Sequence, residues 1–86
     1  MKEAERLLKA LANRRRLAIV KYLRTQGEAS VGDIAVAIKL SLTATSKHLM
    51  LLQAADIVAH EQRSLLRYYR LASPLPRLIK PVVANL

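Results

Sequence analysis

Between Leu40 and Leu52 the chain reads LSLTATSKHLMLL, and this stretch holds the side chains best suited to direct recognition chemistry. Three hydroxyls (Thr43, Thr45, Ser46) and the amine of Lys47 follow Ser41, a residue placed to cap a helix start. Leu49 and Leu52, with Thr45 or Ala44 one turn back, fall on the opposite side, while Thr43, Ser46, Lys47 and Met50 point elsewhere. Small hydroxyls and one lysine near a helix N-terminus suit the major groove of DNA, where close approach and hydrogen bonding to base edges are both required. A polar-faced helix on its own could equally be a solvated surface helix, so its neighbours decide the reading.

Catalysis finds little support. Ser46 and His48 lie two apart on a helix, so their side chains diverge by about 200° and cannot form a nucleophile–base pair. No glycine-rich phosphate loop is present. Glu28, Asp33, Asp56 and Glu61 are scattered without the spacing of paired acid–base carboxylates. The two histidines, His48 and His60, have no clustered carboxylate, and the absence of cysteine excludes disulfides, cysteine-based zinc sites and a thiol nucleophile. The expectation is a protein that is not an enzyme and that uses no metal and no cofactor. Tyr68 and Tyr69 adjoin on a strand and face opposite sides, one toward the core and the other available to stack on a nucleobase or a partner.

Eighty-six residues make one domain, and 52% hydrophobic content is enough to fold it. Fifteen Lys+Arg against six Asp+Glu give a formal net charge of +9, which attracts polyanions. Nucleic acid is the first candidate partner, an anionic membrane the second, and a merely basic, solvated surface the plain alternative. No run approaches the roughly 20 apolar residues of a membrane span. MKEAERLLKAL lacks the apolar core of a signal, so the cytoplasm is the expected compartment and no membrane partner is expected.

Positioning elements can be read along the chain. Ala4, Leu7, Leu8 and Leu11 define an amphipathic helix over about 3–12, and Asn13 can stop it and cap the next. The second helix runs from about Arg14 to Arg24 with Leu17, Val20 and Leu23 inward. Its opening Arg14-Arg15-Arg16 opposes the helix dipole by roughly 0.3–1 kcal/mol per charge, so local helix stability does not explain it. Either the long stems cover apolar surface and pair with Glu3 or Glu5, or they meet phosphate. Gly27 breaks the chain, and Ser30-Val31-Gly32-Asp33 has capping-box spacing before a third helix with Ile34, Ala37 and Ile38 inward. Lys39-Leu40-Ser41 then turns into the fourth helix, which is the helix-turn-helix arrangement.

Beyond Gln53 the period changes. Ile57 and Val58 begin a strand ending near Glu61, Leu66 to Leu71 reads as a second, and Gln62 to Leu65 connects them. A hairpin at this place makes a wing, with Arg63 and Arg67 supplying charge for DNA. In the last segment Leu75, Leu78, Ile79, Val82, Val83 and Leu86 fit a helical stripe over about 74–86. Pro74 and Pro76 are tolerable in a first turn, whereas Pro81 should kink or end the helix. Pairing this stripe with Leu7, Leu8 and Leu11 across a two-fold axis would bury both, so these nine residues are the expected homodimer interface; an intramolecular lid is the alternative. The expected fold is mainly α with a small β-hairpin, a winged helix-turn-helix of order α-α-α-α-β-β-α forming one domain over residues 1–86.

In this order the residues resemble a known family. LLKALANRRRLAIVKYL is similar to the Leu-x-Ala-Leu-x-Asp-Pro-x-Arg-Leu-x-Ile-Leu opening of the ArsR/SmtB repressors. EASVGDIAVAIKLSLTATSKHLMLLQAADIV resembles their next segment, with Ser46, His48, Leu49 and Leu52 in a Ser-x-His-Leu-x-x-Leu pattern, and RYYRLA resembles the end of their wing. The resemblance spans about residues 4–72. It implies a homodimeric repressor placing one recognition helix in the major groove of each half of an inverted repeat in double-stranded DNA. Carried over position by position, it implies base reading by Leu42, Thr43, Ser46 and Lys47, backbone proximity for Ser41 and Thr45, and wing contacts from Arg63 and Arg67.

Departures from the pattern change what is expected. Leu42 stands where members often carry Gln; leucine cannot hydrogen-bond a base edge, though it can touch a thymine methyl, so a different operator is expected. The Cys-Val-Cys metal motif of many members is Ala29-Ser30-Val31-Gly32-Asp33 here, and the last helix offers Arg77, Lys80 and Asn85 in place of Asp and His ligands. Lys39, Asp56 and Ser64 replace turn glycines. Left-handed backbone costs a non-glycine residue roughly 1 kcal/mol, so those turns are expected to take other conformations. The rival reading is a protein-interaction module, on the strength of Leu42, Met50 and Leu65.

Overall fold

Side-chain caps start the helices that carry the fold. In the computed structural model, which describes all 86 residues, α1 (Lys2–Leu11) is followed by Asn13, whose Oδ1 accepts from the amides of Arg15 at 2.9 Å and Arg16 at 3.1 Å and opens α2 (Arg14–Gln26). Gly27 ends α2 at φ 86°, a left-handed angle that glycine adopts without Cβ strain. After β1 (Glu28–Ser30), the Ser30 hydroxyl accepts from the Asp33 amide at 3.1 Å and starts α3 (Val31–Ile38). The Ser41 hydroxyl does the same for the Ala44 amide at 3.1 Å and starts α4 (Leu42–Ala54). β2 (Val58–Arg63) and β3 (Leu66–Leu71) follow, then a 3-10 turn (Arg77–Ile79) and α5 (Lys80–Ala84).

The wing is a regular antiparallel hairpin whose register runs from Val58↔Leu71 to Arg63↔Leu66. β1 adds to the other edge of β3, pairing Ala29 with Tyr69, so the sheet order is β1-β3-β2. This third strand was not expected; three residues are too few to show a period. The chain turns through 107° between α3 and α4, within the range of about 90–120° for a helix-turn-helix. No helix is long and apolar enough to cross a membrane.

One core gathers Leu7 and Leu11 from α1, Ile19, Val20 and Leu23 from α2, Ile34 from α3, Leu49 and Leu52 from α4, Ile57, Val58 and Tyr69 from the wing, and Ile79 and Val83 from the C-terminal segment. That corrects the dimer assignment for Leu7, Leu11, Ile79 and Val83, which are 4% exposed or less within a single chain. Their faces meet each other intramolecularly because the 3-10 turn packs against α1. Leu75 and Leu86 are half-buried against the same core, leaving Leu8, Leu78 and Val82 exposed.

Further expectations are overturned. The single helix over 74–86 is instead an extended lead-in, the 3-10 turn and a five-residue helix. Pro74 and Pro76 push their preceding residues out of helical geometry, which delays the helix. Pro81 does not kink it, because α5 begins at Lys80 and Pro81 sits in the first turn, where its missing amide has no intrahelical partner. The turns at Lys39, Asp56 and Ser64 do adopt left-handed backbone, at φ 57°, 61° and 58°. The glycine geometry is kept without glycine, at a cost of roughly 1 kcal/mol each. In α3 the inward positions are Ile34, Ala35 and half-buried Ile38, while Ala37 is exposed.

Candidate nucleic-acid interface

α4 presents two exposed rows of side chains at four-residue spacing. Leu42, Ser46 and Met50 form one, and Thr43, Lys47 and Leu51 the other. All are exposed except Ser46, which is half-buried. Ser41, the cap, is also exposed at the head of the helix. Thr45 belongs to the other side: it is 0% exposed, and spacings of four and seven align it with Leu49 and Leu52 in the core. Its Oγ1 has no hydrogen-bond partner. Thr45 is therefore a packing position, which corrects its assignment near the DNA backbone.

The two wing arginines differ sharply. Arg63 Nη1 meets Glu28 Oε2 at 2.6 Å, its Nη2 meets Glu61 Oε1 at 3.1 Å, and its guanidinium lies 4.8 Å from the centre of the Tyr68 ring. The expected free charge at Arg63 is thus matched by two carboxylates of its own chain, one on β1 and one on β2, and these hold its proton more firmly than usual. The contact also occupies Tyr68, while Tyr69 is 2% exposed in the core. Arg67 is exposed, forms no ion pair, and lines a cleft between α4 and the wing together with Met50, Gln53 and His60. Leu65, at the wing tip, is 93% exposed.

Part of the basic excess is used internally. Arg16 Nε donates to the Ala10 carbonyl at 2.6 Å and its Nη2 to the Lys9 carbonyl at 3.3 Å, capping the end of α1. Arg6 Nη1 donates to the Ala54 carbonyl at 2.7 Å, at the end of α4, and pairs with Glu3 at 2.8 Å. Arg24 Nη1 donates to the Val83 carbonyl at 2.6 Å in α5. Sequence reasoning held Arg16 open as structural but missed Arg6 and Arg24. The usable signal was that the last carbonyls of every helix need donors. Lys2, Arg14, Lys21, Lys39, Lys47, Arg67, Arg70, Arg77 and Lys80 are exposed and free of both ion pairs and side-chain hydrogen bonds, among them Lys39 in the turn, Lys47 on α4 and Arg67 on the wing.

Arg16 also ties α4 to the scaffold, since its Nη1 lies 3.3 Å from His48 Nδ1. A guanidinium only donates, so Nδ1 is the acceptor and the neutral ring carries its proton on Nε2. Burial, then the charges of Arg16 and Arg15, hold His48 below the ordinary histidine value. His60 Nδ1 pairs with Gln53 Oε1, and its ring lies 5.4 Å from that of Tyr69. No three His, Asp or Glu side chains stand close enough to share a metal ion.

A family model described as a helix-turn-helix domain matches residues 11–61. Over 70 residues, 81% of this chain, the sequence is 40% identical to the HTH-type transcriptional regulator Rv0324 of Mycobacterium tuberculosis; the match spans 30% of that protein's length. Mb0332 from Mycobacterium bovis, a homodimeric winged helix-turn-helix DNA-binding domain described as a possible ArsR-family transcriptional regulator, superposes with a TM-score of 0.82 at 38% identity, covering 98% of this chain and 80% of that one. The transcriptional repressor BigR from Xylella fastidiosa superposes with a TM-score of 0.82 at 29% identity, covering 99% and 83%.

Proposed function

Because the chain belongs to the ArsR family of winged helix-turn-helix transcriptional regulators, we propose that it is a sequence-specific repressor that binds an inverted repeat in double-stranded DNA as a homodimer. The observation that carries this reading is the exposed N-terminal face of α4, with Thr43, Ser46 and Lys47 presented beyond a 107° turn. Exposed Lys39 and Arg67 supply phosphate contacts, which give affinity and register, while the α4 face supplies sequence preference. The similarity to BigR and to homodimeric Mb0332 supports repression and dimerisation. Exposed Leu8 on α1, with Leu78 and Val82 in the adjoining C-terminal segment, offers an apolar surface for a second copy. The dimer occupies an operator overlapping a promoter and excludes polymerase sterically. Its role is binding rather than catalysis, and its compartment is the one that holds the chromosome, the cytoplasm.

Selection of bound duplexes from a random pool across a salt series tests this reading. The expected result is enrichment of an inverted repeat, with affinity falling steeply as salt rises because each neutralised phosphate releases counterions. Thr43→Ala and Lys47→Ala should each lower discrimination between the enriched and scrambled duplexes by roughly 1–3 kcal/mol. Equal loss on all sequences would place both side chains on phosphate only. A folded protein that binds no duplex at moderate salt would transfer the assignment to a protein partner, the reading that exposed Leu42, Met50 and Leu65 favour.

A further inference from the structure

Resting on the DNA-binding reading above, we infer that Leu42 is a specificity-determining residue that reads the C5-methyl group of a pyrimidine, thymine or 5-methylcytosine, in the major groove. Of the six positions in the two exposed rows of α4, three are aliphatic: Leu42 is 59% exposed, Met50 65% and Leu51 53%. No Asn, Gln, Arg, Asp or Glu occurs from Leu42 to Leu52, so this face lacks the amide and guanidinium groups that read bases with paired hydrogen bonds. Leu42 is the first residue after the Ser41 cap, at the end of the helix that approaches base edges most closely. The pyrimidine methyl is the apolar group that the major groove displays.

The flanking chemistry favours duplex DNA over a protein groove. Thr43, Ser46 and Lys47 interleave with the aliphatic side chains, and a dry protein groove would leave them desolvated and unpaired. The major groove offers donors and acceptors to the hydroxyls and acceptors to Lys47, with phosphate at its edge for Lys39. Val36 on α3, 81% exposed, lines the same hollow as Lys39 and Leu42 and extends the apolar edge at the helix-turn-helix elbow.

The test uses the duplex enriched by selection. Each thymine of a half-site is replaced in turn, symmetrically, by deoxyuridine, and each cytosine by 5-methylcytosine. The expected result is one position where removing the thymine methyl, or leaving cytosine unmethylated, weakens binding by about fourfold per half-site, about 15-fold for both. A response in the deoxyuridine series identifies thymine as the source, and one in the cytosine series identifies methylated DNA. In Leu42→Ala the response should vanish, and Leu42→Gln should shift the preferred base at that position to adenine. No responsive position, or an undiminished response in Leu42→Ala, overturns the inference while leaving DNA binding intact. So do Leu42 variants that bind every duplex like the parent, which would assign the apolar face to a protein partner. A folded protein that binds no duplex overturns the DNA-binding reading itself, and this inference with it.

Discussion

Thr45→Val separates a packing position from a DNA contact within the recognition helix. The Thr45 hydroxyl is fully buried and has no hydrogen-bond partner. A buried hydroxyl without a partner carries a desolvation penalty of roughly 1–3 kcal/mol. Valine has nearly the same shape, a similar helix propensity and a methyl where the hydroxyl was, so it removes the penalty and adds apolar burial against Leu49 and Leu52. The variant should therefore be more stable by about 1–3 kcal/mol, raising Tm by about 4 °C or more for a domain of this size. Thermal and urea unfolding at matched protein concentration read the change. Thr45→Ser, which keeps the hydroxyl and loses the methyl, should be destabilised. DNA affinity of Thr45→Val should match that of the parent. Destabilisation by more than 1 kcal/mol, or weaker DNA binding by a folded variant, would refute the reasoning, because either requires the hydroxyl to have a partner.

Other perturbations address separate parts of the account. Leu78→Glu places a charge on an exposed residue (48% exposed), so it should leave the chain folded and shift it to monomer; sedimentation that still shows a dimer at low concentration would remove Leu78 from the interface. Ser64→Gly relieves left-handed strain of roughly 1 kcal/mol and gives back part of it through the freer unfolded chain, for a net stabilisation of up to about 0.5 kcal/mol in urea unfolding. Burial and the nearby Arg16 and Arg15 charges hold His48 below the ordinary histidine value, so the unfolded chain takes up this proton at a higher pH than the folded one. Its contribution to stability is complete above the ordinary histidine value of the unfolded chain and is lost as pH falls from there through the lower folded value. The urea midpoint should drop between pH 7.5 and 5.5, and drop less in His48→Gln; equal drops would show that His48 is not the group responsible.

What the sequence showed and what it hid follow from the range of each interaction. Asn13, Ser30 and Ser41 act on amides two or three residues away, so their caps were legible in local spelling. Leu66–Leu71 was legible because a six-residue strand with turn signals on one side carries its own pattern. β1 has no such length, and only its pairing with β3 makes it a strand. Long-range partners were harder. Arg24 reaches Val83, 59 residues away, and Arg63 reaches Glu28, 35 residues away, so neither charge could be recognised as internal from its neighbours. The nine-residue dimer stripe failed in part for the same reason. Periodicity shows that Leu7 and Val83 face something apolar, but not whether that surface belongs to the same chain. The α4 face was readable as a set, except at Thr45, where a hydroxyl chosen for its chemistry lay on the helix side that periodicity assigns to the core.

The central claim is that two copies of α4 enter successive major grooves on one face of the duplex. Its most direct test is fluorescence anisotropy on the enriched inverted repeat with the spacing between half-sites changed by five and by ten base pairs. A rigid dimer should bind both poorly, because about half a helical turn carries one half-site to the opposite face and a full turn moves it about 34 Å farther along the axis, beyond the reach of the second α4. Affinity that does not depend on spacing would contradict the account, showing that the chain binds DNA as independent monomers or without reading the groove.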